Sequence, residues 1–272
     1  MSSHSGPEIL LVGCGKMGLA MLSGWLDGGA IGHATVIEPG GVPALVGRDR
    51  VRLLADPAEL PPDYRADVLV LAVKPQIMPL AAPSYRAIVE RGAAVLSIAA
   101  GKTMAAFAGW YGADAAVVRA MPNTPAAIGR GISVAIANAT VTPTQRALCD
   151  RLLAAVGSVE WVAEEGLLDI VTALSGGGPA YVFLLIEVLA AAGTKAGLPE
   201  ALAMRLARET VSGSGELARL SPESAAQLRQ HVTSPKGTTL AALELLMAPD
   251  GIQPIFNAAI AAATARSREL AQ

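Results

Sequence analysis

The chain has 272 residues, of which 52% are hydrophobic and 4% aromatic, and its formal net charge is −2. This length suits one large domain or two ordinary ones, and the composition suits closely packed helices and strands. The small net charge argues against a nucleic-acid partner, and the two cysteines are too few for a disulfide scaffold or a cysteine metal site.

Apolar runs are interrupted before they reach the roughly 18 residues that a membrane span needs. Glu187, for example, divides the apolar segment from Ala180 to Ala192. Met1 to Pro7 lacks the basic residues of a secretory signal. We therefore expect a cytoplasmic protein that binds neither membrane nor nucleic acid.

The chain begins with the pattern of a dinucleotide-binding unit. A strand, a glycine turn and a helix follow one another as Glu8 to Val12, Gly13-Cys14-Gly15-Lys16-Met17-Gly18, and Leu19 to Leu26. A GxGxxG turn between a strand and a helix binds the pyrophosphate of a dinucleotide. Gly13 permits the tight turn, Gly15 lets the phosphates approach the backbone, and Gly18 lets the helix lie close to the strand. Cys14 is interpreted as a small filler in this turn.

A second strand, Ala34 to Ile37, ends at Glu38, twenty residues beyond Gly18. An acidic residue at this position binds the ribose hydroxyls of a dinucleotide. A carboxylate would repel the 2′-phosphate of NADP, whereas it accepts hydrogen bonds from a free ribose diol. Glu38 therefore favours NADH.

Further strand candidates alternate with helical or irregular segments. They are Arg50 to Leu54, Val68 to Val73, Ala94 to Ala99, Ala115 to Arg119, Gly131 to Ala137 and Val159 to Val162. Alternating strands and helices predict a doubly wound sheet of the Rossmann type. We expect this α/β dinucleotide-binding domain to span residues 1–163.

Three turns at predicted strand ends are polar or contain glycine or proline. They are Lys74-Pro75-Gln76, Ala100-Gly101-Lys102 and Met121-Pro122-Asn123-Thr124-Pro125. Ligands of such sheets bind outside the carboxyl ends of the strands, so we expect the three turns to line one crevice.

Only helical patterns follow Glu164, which predicts an all-α domain over residues 164–272. Its helices are Leu167 to Leu174, Ala180 to Ala192, Leu198 through Val211, Pro222 through Arg229, Leu240 to Met247 and Ile252 to Leu270. The segment from Ala180 to Ala192 is apolar on several faces. It packs either against a second subunit or inside the monomer.

The segment from Val232 to Thr239 places hydroxyls and glycine directly before a helix. The first backbone N–H groups of a helix lack intrahelical partners, so such a loop forms a ready anion site or an ordinary helix cap.

Together these motifs resemble the pyrroline-5-carboxylate reductases, the enzymes of the last step of proline synthesis. The resemblance rests on the glycine turn, Ala72-Val73-Lys74-Pro75-Gln76, Arg119-Ala120-Met121-Pro122-Asn123-Thr124-Pro125, Leu174-Ser175-Gly176-Gly177-Gly178-Pro179-Ala180-Tyr181, and Val232 to Thr239. It implies reduction of 1-pyrroline-5-carboxylate to L-proline by hydride transfer from NADPH or NADH. It also implies an intertwined homodimer, with rings of dimers in several members, and an active site formed between the nucleotide domain and the partner's helices.

The resemblance also implies roles for individual residues. Substrate-binding positions are Ser234, Gly237, Thr238, Thr239 and His231, with Thr239 as the catalytic hydroxyl that orients the ring nitrogen. Cofactor-binding positions are Gly13, Gly15, Lys16, Met17, Gly18, Ala72, Val73, Lys74, Pro75, Ala99, Ala100, Asn123 and Thr124. The strand pattern adds Glu38, where many members of the family instead carry a hydroxyl, asparagine or arginine that binds the 2′-phosphate of NADP. Members of the family usually carry a small residue where Lys236 stands here. This cation either supports carboxylate binding or points to solvent.

The ionisable residues show no paired-carboxylate, Ser–His–Asp or metal-ligand spacing. A cyclic imine needs no strong acid, because its nitrogen is more basic than a carbonyl oxygen and arrives already protonated.

Two alternatives are a hydroxyacid dehydrogenase with a GxGxMG turn and a dinucleotide-sensing regulator without turnover. The first needs a lysine on the helix Ala180 to Ala192, but Lys195 is predicted to lie beyond it. The second needs an effector surface that the sequence does not indicate.

Overall fold

The computed structural model describes residues 6–270, so Met1 to Ser5 of the leader prediction lie outside the described part of the chain. Two compact units are present, one formed by residues 1–176 with 263–272 and the other by residues 177–262.

An eight-stranded sheet forms the centre of the first unit, in the order β3-β2-β1-β4-β5-β6-β7-β8. Its strands are β1 Glu8–Val12, β2 His33–Ile37, β3 Val51–Leu54, β4 Val68–Leu71, β5 Ala94–Ser97, β6 Val117–Met121, β7 Gly131–Ala137 and β8 Gly157–Trp161. All neighbouring pairs are parallel except β6 with β7. The order 3-2-1-4-5-6 is that of a Rossmann fold, so the predicted fold class is confirmed.

Helices cover the sheet on both faces, and two hydrophobic clusters lie beneath them. The helices are α1 Lys16–Asp27, α2 Met78–Ala81, α3 Arg86–Glu90, α4 Met104–Tyr111, α5 Pro143–Ala154 and α6 Leu167–Val171. Strand β4 is buried along its whole length, as expected for a parallel strand with helices on either side. Trp25 lies in one cluster, where its indole N–H donates to the carbonyl of Leu152 at 2.7 Å.

The strand register brings the predicted turns to one edge of the sheet. Val12 pairs with Leu71, Leu71 with Ser97, and Ser97 with Arg119. Because these strands are parallel, the chain leaves each of them at the same edge. The glycine turn and the three turns that follow β4, β5 and β6 therefore share the carboxyl edge, as the sequence predicts.

The second unit is helical. It contains α7 Gly178–Lys195, α8 Glu200–Leu220, α9 Ala225–His231, α10 Thr238–Leu246 and the first part of α11 Ile252–Leu270. Small residues let α7 and α8 pack closely: a Cβ on Gly193 would lie 3.3 Å from the Cβ of Ala203. The ring of Tyr181 contacts that of Phe256 edge-on at 6.4 Å.

Several helix boundaries differ from the sequence prediction; α8, for example, continues to Leu220 beyond the predicted Val211. Helix α9 begins at Ala225, not at Pro222, because Ser224 and Gln227 form a reciprocal capping box that fixes the first turn. Helix α7 ends at Lys195, so this lysine is the last residue of the helix and does not lie beyond it.

By length and composition, the helical stretch Leu167–Lys195 is apolar enough to cross a membrane. The requirement for an uninterrupted apolar run was therefore too strict, because one charged residue such as Glu187 leaves the mean hydropathy high. Only 11% of its apolar window is buried within the chain. Large side chains of α7 are consequently exposed, including Phe183, Leu184 and Val188.

Candidate functional site

The glycine turn after β1 has the geometry that its sequence predicts. Gly13 has φ +85°, and a Cβ there would lie 2.9 Å from the backbone of Ala72. A Cβ on Gly18 would lie 2.5 Å from the carbonyl oxygen of Gly13, so helix α1 approaches the turn as closely as glycine allows. Gly15, in contrast, has nothing within 4 Å of its Cβ position. Its open side is where a phosphate can contact the backbone.

Helix α1 begins at Lys16 without a side-chain cap and without an acidic residue in its first turn. Its first N–H groups therefore remain available for an anion, and the positive end of the helix favours one. Lys16 is exposed at this end, whereas Met17 is half-buried and packs against the core. The turn and the helix start together fit the pyrophosphate of a dinucleotide.

Glu38, at the end of β2, lies beside the same turn. Its Oε2 accepts a hydrogen bond from the backbone N–H of Cys14 at 2.7 Å. The turn and the carboxylate therefore hold each other in place. Burial raises the pKa of the Cys14 thiol to about 11, and the negative charge of Glu38 adds to this rise. Cys14 is thus a neutral thiol at physiological pH.

A cleft of about 530 Å³ runs along this edge. The predicted residues on its wall are Gly13, Gly15, Glu38, Ala72, Val73 and Lys74. Residues that the sequence did not single out complete it: Val12, Ile37, Pro39, Pro57, Ile77, Leu80, Ala81, Ser84 and Tyr85. Leu80 is 81% exposed and, with Ile77 and Ala81, makes this part of the wall apolar. An apolar wall next to Glu38 suits the flat face of an adenine.

The turns after β5 and β6 differ in what their side chains do. Ala99 is buried and Ala100 half-buried in the first turn, and Thr124 is exposed in the second. The amide of Asn123 is engaged within the protein: its Oδ1 accepts from the N–H of Ile132 at 3.0 Å, and its Nδ2 donates to Ser175 Oγ at 3.3 Å. Asn123 therefore fixes its own turn.

The segment from Val232 to Thr239, the Ser/Thr loop, belongs to the second unit and leads from α9 into the first turn of α10. Gly237 precedes α10 without providing a side-chain cap, and the first turn of α10 has no acidic residue. The loop is closed by a hydrogen bond of 3.0 Å from the N–H of Gly237 to the carbonyl of Ser234. Ser234, Thr238 and Thr239 are exposed. This helix start is an anion site of the same kind as that of α1.

His231 directly precedes the loop, and Lys236 lies within it. The Nδ1 of His231 lies 3.5 Å from Glu223 Oε1, and its side chain is largely exposed. Lys236 is also exposed, and its φ is +60°, in the left-handed region. Any residue with a Cβ is strained there and glycine is not, which gives a backbone reason for glycine, but not for alanine, at this position.

No cluster of three or more potential metal ligands occurs among residues 6–270. The nucleotide-side residues all lie in the first unit, and the Ser/Thr loop lies in the second.

Known proteins resemble this chain along nearly its whole length. A family model described as "Pyrroline-5-carboxylate reductase dimerisation" matches residues 165–270. A pyrroline-5-carboxylate reductase of Pseudomonas aeruginosa is 38% identical over 271 residues, which is 98% of each chain. The chain belongs to the pyrroline-5-carboxylate reductase family.

Solved structures of the family agree with this assignment. The structure of a pyrroline-5-carboxylate reductase from Coxiella burnetii has a TM-score of 0.90 at 33% identity, covering 98% of this chain and all of the other. A Plasmodium falciparum pyrroline carboxylate reductase, crystallised with NADP bound, has a TM-score of 0.83 at 27% identity, covering 98% of both chains. The predicted family is therefore confirmed.

Two of the three glycines of the turn, Gly15 and Gly18, provide a matched test of the cofactor site of this family member. We expect Gly15→Ala to leave the thermal unfolding temperature nearly unchanged, because the methyl group enters open space, but to weaken NADH binding about tenfold or more, or roughly 1.4 kcal/mol. Gly18→Ala should instead destabilise the fold by about 1–3 kcal/mol through its clash with Gly13. Calorimetric unfolding and NADH titration measure the two effects. Equal losses of stability in the two variants would contradict this interpretation.

Lys236 provides a test of backbone strain in the Ser/Thr loop. Removing a Cβ from the left-handed region gains about 1–2 kcal/mol, and the added freedom of glycine in the unfolded chain costs about 0.5–1 kcal/mol. Lys236→Gly should therefore raise the free energy of unfolding by about 0.5–1 kcal/mol. Lys236→Ala, which removes the charge but keeps the Cβ, is the control and should give no gain. An equal gain in both variants would assign the effect to charge.

Proposed function

We propose that the protein reduces 1-pyrroline-5-carboxylate to L-proline with NADPH or NADH, the last step of proline biosynthesis. As a member of the pyrroline-5-carboxylate reductase family, it is an NAD(P)H-dependent oxidoreductase. The observation that carries the proposal is the uncapped, acid-free start of α10 at Thr238, a site for a small carboxylate in a chain whose other unit is a dinucleotide domain.

The dinucleotide domain holds the cofactor through the carboxyl edge of its sheet. Gly15 and Lys16 bind the pyrophosphate at the start of α1, and Glu38 binds the ribose hydroxyls. The turns that contain Ala99, Ala100 and Thr124 contact the nicotinamide or its ribose. The bound reduced nicotinamide supplies the hydride.

The Ser/Thr loop holds the substrate. The backbone N–H of Thr238 and the hydroxyl of Ser234 bind the carboxylate, while the N–H of Gly237 donates to the Ser234 carbonyl and so shapes the loop around it. The hydroxyl of Thr239 hydrogen-bonds the ring nitrogen and fixes the orientation of the C=N bond. The imine nitrogen is basic enough to arrive protonated, so the protein supplies position and not an acid. The exposure of these residues in the single chain leaves room for a substrate.

The helical region makes a homodimer, in agreement with the dimerisation family that matches residues 165–270. Exposed apolar side chains of α7, such as Phe183 and Leu184, pack against a second copy and not against lipid. We propose that dimers assemble further into rings, that the enzyme is cytoplasmic, and that the two functional domains meet between residues 163 and 164. The last strand of the sheet ends at Trp161, just before this boundary, whereas residues 164–176 belong to the first compact unit by their contacts.

The alternatives have less support. A hydroxyacid dehydrogenase would need a catalytic lysine on α7; the one lysine of this helix, Lys195, is its last residue, and the relatives that match the chain are reductases. A regulator without turnover would need an added effector domain, and the chain is matched to reductases over 98% of its length.

The proposed role of Thr239 can be tested directly by substitution. Thr239→Ala should lower kcat/KM for 1-pyrroline-5-carboxylate about tenfold or more, because it removes one hydrogen bond that orients the reacting nitrogen. Thr239→Ser keeps the hydroxyl and should retain most of the activity. NADH and NADPH oxidation assays measure both variants. Equal activity of the wild type and the alanine variant would remove Thr239 from the mechanism.

Cofactor choice is predicted to depend on Glu38. Glu38→Ser should raise the ratio of kcat/KM with NADPH to that with NADH about tenfold, since it removes a charge that repels the 2′-phosphate; tenfold corresponds to 1.4 kcal/mol. Glu38→Gln should shift the ratio in the same direction while it keeps an acceptor for the Cys14 N–H. Glu90→Gln, on the exposed face of α3, is the control. An unchanged ratio in both Glu38 variants would show that Glu38 does not face the ribose.

A further inference from the structure

One carboxylate outside the predicted site joins three segments of the first unit. Glu165 lies between β8 and α6, and its Oε1 accepts two hydrogen bonds from distant parts of the chain. One donor is the backbone N–H of Met104, at 2.7 Å. The other is the guanidinium of Arg119, which forms an ion pair with the same oxygen. A single oxygen atom thus connects β6, the start of α4 and the segment before α6.

Each donor needs this acceptor for a physical reason. Met104 is the first residue of α4, so its N–H has no partner within the helix. The cap residue Thr103 accepts from Ala106 and leaves the Met104 N–H to Glu165. The side chain of Arg119 is only 9% exposed, and a buried guanidinium without a carboxylate would be costly. Both donors are therefore fixed by Glu165.

The joined elements carry the turns that face the nicotinamide in the proposed function. Helix α4 directly follows the turn that contains Ala99 and Ala100. Strand β6 ends at Met121, two residues after Arg119, and leads to Asn123 and Thr124. Glu165 is therefore linked to the turn after β5 through the start of α4, and to the turn after β6 through β6 itself.

A second contact fixes the other end of the segment that begins at Glu165. Asn123 donates to Ser175 Oγ at 3.3 Å, while its Oδ1 accepts from Ile132. A Cβ on the adjacent Gly176 would lie 2.6 Å from the Cε of Met121. Residues 165–176 are thus held to the carboxyl edge at both ends, by a carboxylate at one and by an amide at the other.

We propose that Glu165 is a positioning residue for hydride transfer. It sets the spacing between the turn after β5 and the turn after β6 without contacting cofactor or substrate itself. The proposal rests on the function proposed above, because that function assigns these two turns to the nicotinamide side. A displacement of about 1 Å at a reacting centre can cost on the order of a hundredfold in rate, so a positioning role has a large kinetic signature.

The test compares Glu165→Gln with Glu165→Ala. The glutamine keeps an oxygen for the Met104 N–H but loses the charge opposite Arg119, whereas alanine loses both. We expect the single-turnover rate with NADH to fall about threefold in the first and about tenfold or more in the second, within the range that misplacement explains. KM for 1-pyrroline-5-carboxylate should stay within about twofold, because Glu165 does not belong to the Ser/Thr loop.

Two further measurements do not depend on turnover. Hydrogen exchange of the Met104 amide, followed by NMR in the protein without cofactor, should be faster in the alanine variant than in the wild type and nearly unchanged in the glutamine variant. Circular dichroism at the assay temperature establishes that the variants are folded. Asp27→Asn is the matched control, since it breaks the Arg48–Asp27 pair of 3.0 Å at the opposite end of α1. It should change neither the rate nor the Met104 exchange.

The outcomes separate the two proposals. A wild type without turnover would refute the proposed function, while the exchange of Met104 would still report on the role of Glu165. An active wild type with unchanged single-turnover rates in both folded variants would overturn the positioning role. So would rates that fall only in proportion to the fraction of folded protein. If the alanine variant does not fold, the glutamine variant alone decides, by its rate.

Discussion

Backbone N–H groups that the protein leaves without side-chain caps are the constraint on which the proposed chemistry depends. Helices α1 and α10 both begin after a glycine, and neither has an acidic residue in its first turn. The starts of α5 and α9 differ, because Thr142 and Ser224 each form a capping box there. Several other helices, α7 among them, share the lack of a side-chain cap, so what distinguishes α1 and α10 is the loop of small and polar residues that precedes each start. Each of these two starts gives up about 1 kcal/mol of the stability that a capping side chain adds and keeps an electropositive site for an anion.

The remaining architecture aligns these sites and supports them. A parallel sheet that is buried on both faces forces successive strands to end at one edge, so turns that are far apart in sequence become neighbours. Short side-chain bonds then fix those turns. Glu38 holds the glycine turn through Cys14, and Asn123 and Glu165 hold the turns after β5 and β6. A few polar contacts, in addition to the hydrophobic core beneath the sheet, therefore keep the turns at this edge in place.

The sequence was sufficient to predict the fold, the family and the carboxyl-edge turns, because each rests on a local pattern: periodic apolar residues, a glycine motif and prolines after strands. It was not sufficient for features set by distant contacts. Arg119 and Glu165 are 46 positions apart, and nothing local to either residue indicates the other. The antiparallel pairing of β7 with β6 and the apolar cleft wall at Leu80 depend likewise on tertiary packing. The start of α9 was mistaken because proline was preferred to the Ser224 capping box.

Lys236 raises two separate questions, one of charge and one of backbone conformation. The sequence shows only the charge, whereas the φ of +60° shows that any residue with a Cβ is strained at this position and that glycine relieves the strain.

The neutral thiol in the glycine turn has a practical consequence. Thiolates, not thiols, are alkylated and oxidised, and the pKa of about 11 leaves Cys14 almost entirely protonated at neutral pH. Cys149 is buried as well, and its pKa is raised to about 12. Burial, with the charge of Glu38 in addition, therefore keeps the sulfhydryl of the glycine turn in its less reactive form.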